Sequence, residues 1–108
     1  MKKRPAATLD IPRLKETTFA KVSDDKAFAV CRGDRISTLS DLAGCIESLT
    51  PEQFSYHVNK EKNDFAKWIE DVLANPVLAH DLRYAANVKD KARYVKAIRD
   101  HLKWLEWE

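Results

Sequence analysis

Apolar residues return every three or four positions along most of the chain beyond residue 38, the spacing that places side chains on one face of an α-helix. Helix-capping residues precede these stretches, and proline follows the cap in two cases. The pattern predicts four helices, which begin after Thr38, after Thr50, after Asn63 or Asp64, and after Asn75. The helix after Asn75 is predicted to end near Asn87. A fifth helix, the longest, is predicted over residues 88–107. The predicted core positions are Leu39, Leu42, Ala43, Ile46, Leu49, Phe54, His57, Val58, Phe65, Trp68, Ile69, Val72, Leu73, Val77, Leu78, Leu82, Ala92, Val95, Ile98, Leu102 and Leu105.

A different pattern precedes the helices. Residues 27–32 alternate around Phe28 and Val30, and Gly33 with Asp34 suits a two-residue turn with glycine first. Only two glycines occur in the chain, which argues against an all-β fold with its many tight connections. The predicted fold class is therefore mainly α, with a small N-terminal β-hairpin followed by a four- to five-helix, bundle-like domain.

The first 26 residues contain few apolar side chains and many charged ones. Within them Leu9, Ile11 and Leu14 flank Pro12, which predicts an extended or turning backbone and a short apolar peptide. We therefore predict that residues 1–26 form a flexible or partner-docked arm. Residues 27–108 are predicted to form a single helical domain. The chain of 108 residues is long enough to bury a core without disulfides or a structural metal.

Charge and cysteine content limit the chemistry. The formal net charge of +2 is too small for bulk electrostatics to indicate a nucleic-acid binder. Cys31 and Cys45 show no zinc-ligand spacing and are predicted to be buried free thiols, so we expect no metal and no cofactor. The chain offers no apolar run that resembles a signal peptide or a membrane span, and we expect it to be cytoplasmic.

Two strings carry a resemblance to a known family. Residues 54–59 (FSYHVN) and 63–69 (NDFAKWI) resemble motifs of small prokaryotic domains catalogued as of unknown function. An apolar strand, a glycine turn and a helix like residues 37–42 precede these motifs in that family, so the similarity covers about residues 28–82. The resemblance implies the fold and an interaction module rather than a catalyst, and it implies no activity.

The junction between two predicted helices gathers polar residues that could carry chemistry. They are His57, Asn59, Asn63 and Asp64. A helix N-terminus there could bind an anion, because its amides are unpaired and its dipole is positive. The alternative, which we favour, is structural: Asn63 or Asp64 caps the helix and a hydrogen bond from His57 fixes the junction. A catalytic base at His57 lacks a nucleophile, phosphate loop or metal constellation, so we expect no enzyme activity.

The last predicted helix carries a basic stripe roughly 20 Å long. The spacing of its Lys and Arg side chains could match several phosphates of a nucleic acid. The same spacing is typical of an ordinary solvated helix face. Together with the basic N-terminus, it supports an alternative function as a nucleic-acid-associated protein. The residues concerned are Lys89, Arg93, Lys96, Arg99, Lys103, Lys2, Lys3 and Arg4.

Trp104 and Trp107 lie one turn apart, and Trp104 is predicted to project nearly opposite the apolar stripe. Exposed tryptophans are enriched at the centres of protein interfaces. Either they bind a partner, or the arm folds back and covers them with Leu9, Ile11 and Leu14. The sequence thus predicts a non-enzymatic interaction module, either a protein–protein adaptor or a self-associating domain.

Overall fold

Side-chain caps begin every α-helix in residues 10–84 and 90–108, the part of the chain that the computed structural model describes. In each case a side-chain oxygen accepts a backbone N–H of the first turn, a donor that has no partner inside the helix. Thr50 and Gln53 form a complete capping box, as predicted. The six caps are Asp10, Thr38, Thr50, Asn63, Asn75 and Asp90.

The described chain is mainly helical, with one two-stranded antiparallel hairpin, and this confirms the predicted fold class. In order, its elements are α1 (Ile11–Phe19), a 3₁₀ helix (Asp24–Lys26), β1 (Phe28–Ala29), β2 (Arg35–Ile36), α2 (Leu39–Ser48), α3 (Pro51–His57), α4 (Asp64–Asp71), α5 (Pro76–Tyr84) and α6 (Lys91–Trp107). The extended cap residue Asp90 precedes α6, so the predicted start at Val88 was too early. The predicted end of α5 near Asn87 lies outside the described residues.

Helix α1 lies where the sequence predicted an arm. The extended backbone expected around Pro12 was wrong, because proline in the first turn of a helix removes no intrahelical hydrogen bond. Leu14 and Thr18 are buried, and α1 packs against α6. Residues 1–9 of the predicted arm lie outside the described residues, and a partner that docks on the arm stays a prediction.

The hairpin forms as predicted, but its turn differs. Phe28 lies opposite Ile36, and the Val30 N–H donates to the Asp34 carbonyl at 2.8 Å. The loop therefore contains residues 31–33, and Gly33 closes it with a φ of 113°, a conformation that favours glycine. The predicted two-residue turn was wrong by one residue, and Cys31 in this loop is exposed rather than buried.

The core lies between the hairpin and the helices, with α2 and α5 packed on α6 and α4 packed on α5. Rings of Phe28, Phe54 and Phe65 meet at centroid distances of 5.2–6.0 Å. Most predicted core positions are confirmed, but Ala92 is exposed. At about 100° per residue, Ala92 lies about 160° around α6 from the buried Tyr94. Tyr94 is not among the predicted core positions.

A buried hydrogen-bond chain connects α4, α5 and α6. The Asn63 side-chain amide donates to the Tyr94 hydroxyl at 2.9 Å, and that hydroxyl donates to the Leu82 carbonyl at 3.0 Å. Burial raises the pKa of Tyr94, and the hydrogen bond from Asn63 opposes this. The phenol therefore stays neutral and holds the three helices in register.

Tyr94→Phe removes this hydroxyl and leaves only a long contact of 3.5 Å between the Asn63 amide and the Leu82 carbonyl. We expect the free energy of unfolding to fall by about 1–3 kcal/mol in urea denaturation. The matched control is Tyr84→Phe, because Tyr84 is 75% exposed and should change stability by less than about 0.5 kcal/mol. Equal effects of the two substitutions would contradict this role for Tyr94.

Ala74 joins α4 to α5 in the left-handed region of backbone conformation, with a φ of 52°. An L-residue there costs about 1–2 kcal/mol. This conformation leads directly into Asn75, whose backbone N–H donates to the Ile69 carbonyl at 3.1 Å. The strain at Ala74 therefore accompanies the burial of Asn75 at the start of α5.

Ala74→Gly should raise the free energy of unfolding by about 0.5–1 kcal/mol, because relief of strain exceeds the added entropy of the unfolded chain. Ala20→Gly is the control, since Ala20 has a φ of −66° and gains no relief. There we expect a loss of about 0.4–1 kcal/mol. Urea denaturation of both variants measures the difference, and a loss at Ala74 as large as at Ala20 would overturn the interpretation.

Candidate functional site

The junction between α3 and α4 is built around His57, which is only 2% exposed. Its Nδ1 lies 2.9 Å from the Asp64 carboxylate, and its Nε2 accepts the Cys31 backbone N–H at 3.1 Å. Because Nε2 accepts, the proton of the neutral ring lies on Nδ1. Both ring nitrogens therefore bind protein groups and tie the hairpin loop to α4.

The other polar residues of the junction also bind within the chain. Asn63 caps α4 and donates to Tyr94, while Asn59 accepts the Glu61 N–H and donates to the Ser55 carbonyl. Lys62 lies 3.0 Å from Asp64. The structure thus brings His57, Asn59, Asn63 and Asp64 together as a hydrogen-bonded joint, and anion binding beside it stays a prediction.

The basic stripe on α6 is largely paired with carboxylates. The guanidinium of Arg93 lies 3.4 Å from the Asp90 carboxylate, and that of Arg99 lies 3.3 Å from the Glu47 carboxylate. The ammonium group of Lys96 lies 2.7 Å from the Asp100 carboxylate. Each pair offsets one positive charge of the stripe. Lys103 is exposed and has no ion pair in the part of the chain that the structure describes. The predicted contacts Lys2, Lys3, Arg4 and Lys89 lie outside the described residues.

The two tryptophans of α6 differ in environment. Trp107 is 85% exposed, whereas Trp104 is 38% exposed and its ring centroid lies 5.3 Å from that of His101. Trp104 was predicted to project nearly opposite the core, but it lies at the flank of the buried face. Among the residues predicted to cover them, Leu14 is buried and Ile11 half-buried, while Leu9 lies outside the described residues.

A groove separates α5 from α6 beside Trp104. Its volume is about 440 Å³, and it combines two half-buried apolar side chains, two carboxylates, an imidazole and an indole. This groove is not among the sites predicted from the sequence. The spacing from Tyr94 through Ile98 to Leu105 could have indicated His101, which shares their face. The lining residues are Val77, Asp81, Ala97, Asp100, His101 and Trp104.

Asn75 fixes the protonation of His101. The Asn75 Oδ1 accepts the Leu78 N–H at 3.0 Å, so its Nδ2 must donate to its other two neighbours. These are the Thr18 hydroxyl and the His101 Nε2, each at 2.9 Å. His101 is therefore neutral with its proton on Nδ1. Burial lowers the pKa of His101, and the charge of Asp81 opposes this.

No metal-binding group of three or more His, Cys, Asp or Glu side chains occurs in residues 10–84 and 90–108. None of the described helices is both long and apolar enough to cross a membrane. No family model, curated protein or solved structure matches the chain. The resemblance to small prokaryotic domains therefore stays a prediction.

The lowered pKa of His101 predicts how stability depends on pH. Below pH 6.5 the unfolded chain binds a proton at this residue more readily than the folded protein. The free energy of unfolding should therefore fall as the pH drops through this region towards the folded pKa. His101→Gln, which can still accept from Asn75, should lose less stability between about pH 7.5 and about pH 5.5 in urea denaturation.

The matched control for this experiment is His80→Gln. His80 is exposed on α5, so its removal should leave the pH dependence of the wild type in place. An unchanged pH dependence in His101→Gln would contradict the assignment of a neutral, buried His101.

Proposed function

We propose that this protein is a non-enzymatic interaction module that binds a protein partner, or a second copy of itself, through the exposed side of α6. The observation that carries the proposal is the 85% exposure of Trp107, one helical turn from Trp104 and its groove. A large apolar side chain in water costs free energy that burial against a partner would recover. Tryptophan also contributes more than most residues at interface centres.

The other features of the chain support this function more than its alternatives. The carboxylates of Asp90, Asp100 and Glu47 beside the basic stripe lower the net positive charge that it offers a nucleic acid. The candidate base His57 has both ring nitrogens engaged within the protein. Neither observation favours a nucleic-acid or catalytic function over an interaction surface.

Trp107→Ala, alone and with Trp104→Ala, tests the proposal. If the tryptophans anchor an interface, each substitution should cost about 2 kcal/mol or more, a weakening of about 30-fold. Light scattering across a concentration series measures self-association, and affinity capture from the native cell measures binding of other proteins. Tyr56→Ala is the control, since Tyr56 is 58% exposed on α3.

The single Trp107→Ala variant is the decisive one, because Trp104 contacts the buried His101 and its loss could affect folding. Thermal unfolding should therefore be similar for wild type and Trp107→Ala. A wild-type protein that is monomeric at all concentrations, and that captures the same proteins as Trp107→Ala, would overturn the proposed function.

A further inference from the structure

The groove between α5 and α6 contains a buried donor that no group of the described residues satisfies. His101 is 7% exposed, and its Nε2 is engaged by Asn75. Its Nδ1–H has no acceptor in residues 10–84 and 90–108, although the ring lines the groove. Because an unsatisfied buried N–H is costly, this position favours a ligand that brings an acceptor oxygen.

The charges around the groove decide which acceptor fits. Asp81 on α5 and Asp100 on α6 both line it. A carboxylate or phosphate that accepted from His101 would therefore meet two like charges. An uncharged acceptor, such as a peptide carbonyl, meets no such repulsion. The ligand that this groove suits best is thus a polypeptide segment rather than a free anion.

The same carboxylates favour a cation next to that carbonyl. Asp81 has no ion pair within the described part of the chain, and Asp100 is paired only with Lys96 at 2.7 Å. Both members of that pair are well exposed, so the pair is weak and its carboxylate can exchange partners. The groove therefore carries net negative charge that an incoming basic side chain would neutralise.

Trp104 gives the groove an aromatic wall, and Val77 and Ala97 give it apolar surface. A guanidinium group can stack on an indole and bind carboxylates with its N–H groups, while the methylenes of the side chain cover apolar surface. An ammonium group makes the same charge contact but cannot stack as a plane. Arginine matches this combination better than lysine.

On these grounds, which rest on the proposed interaction function, we infer that the α5–α6 groove binds an arginine side chain of a partner polypeptide, with a peptide carbonyl on the His101 Nδ1–H. The guanidinium lies against Trp104 and between Asp81 and Asp100. The volume of about 440 Å³ suits one long side chain with its own backbone, at the lower end of ordinary ligand pockets.

A synthetic peptide supplies the test. The probe is an acetylated and amidated Gly-Gly-Ala-Arg-Ala-Gly-Gly, compared with the same peptide carrying citrulline, which keeps the shape of arginine without its charge. Amide and indole N–H resonances of the 108-residue chain are followed during NMR titration of each peptide. We expect the Trp104 indole and α5–α6 amides to shift with the arginine peptide, with at least a tenfold tighter Kd than for citrulline.

Variants then assign the binding to the two carboxylates. Asp81→Asn combined with Asp100→Asn should weaken binding of the arginine peptide about tenfold or more. Asp71→Asn is the matched control, because Asp71 on α4 is paired with Lys67 four residues away, as Asp100 is with Lys96. Equal binding of the arginine and citrulline peptides, no shifts at several millimolar peptide, or equal effects of the two sets of variants would overturn the inference.

Two further outcomes separate this inference from the proposed function. Trp107 does not line the groove, so Trp107→Ala should leave binding of the arginine peptide unchanged. If Trp107→Ala disrupts association while no variant affects the peptide, the proposed function stands and the arginine site is wrong. A third result is that Asp81→Asn combined with Asp100→Asn leaves binding of the arginine peptide unchanged and alters only the molecular mass of the protein's own assemblies in light scattering. In that case a second copy occupies the groove, and the inference is again wrong.

Discussion

The arrangement of α1, α5 and α6 depends on the hydrogen bonds of the Asn75 carboxamide. It is fully buried, so each of its polar atoms requires a partner inside the protein. It finds them in the Leu78 N–H, the Thr18 hydroxyl and the His101 ring. Three helices that are distant in sequence must approach one residue for these bonds to form. An apolar residue at this position could fill the space but could not select this arrangement over others.

The same carboxamide also determines the chemistry of the α5–α6 groove. Because it donates to the His101 Nε2, it leaves the proton of that ring on Nδ1 and favours the neutral form. Trp104 packs on this ring, so its position follows from that of His101. The groove is therefore an extension of the core hydrogen bonding, and the strained backbone of Ala74 belongs to the same arrangement because it leads the chain into Asn75.

Whether an interaction could be predicted from the sequence depends on how far apart its two residues are along the chain. The caps at Thr38, Thr50, Asn63 and Asn75 join residues three apart, so local patterns identified them. The bond from Asn75 to Thr18 spans 57 residues, and that from Asn63 to Tyr94 spans 31. Nothing in the local pattern indicates such pairs. For the same reason, the local pattern of residues 11–19 does not indicate that α1 packs against α6.

The two polar regions of the molecule differ in what they leave available for binding. At the α3–α4 junction, His57 and Asn63 both use their polar atoms within the chain, so a ligand there would have to replace existing hydrogen bonds. At the α5–α6 groove, a donor on His101 and a carboxylate on Asp81 lack such partners in the described chain, and Trp107 nearby is exposed. The free energy of binding is most favourable where polar and apolar groups gain partners that they lack in the folded chain. This difference is the reason that we propose the interaction surface on α6 and its groove, although the junction has the more conspicuous sequence.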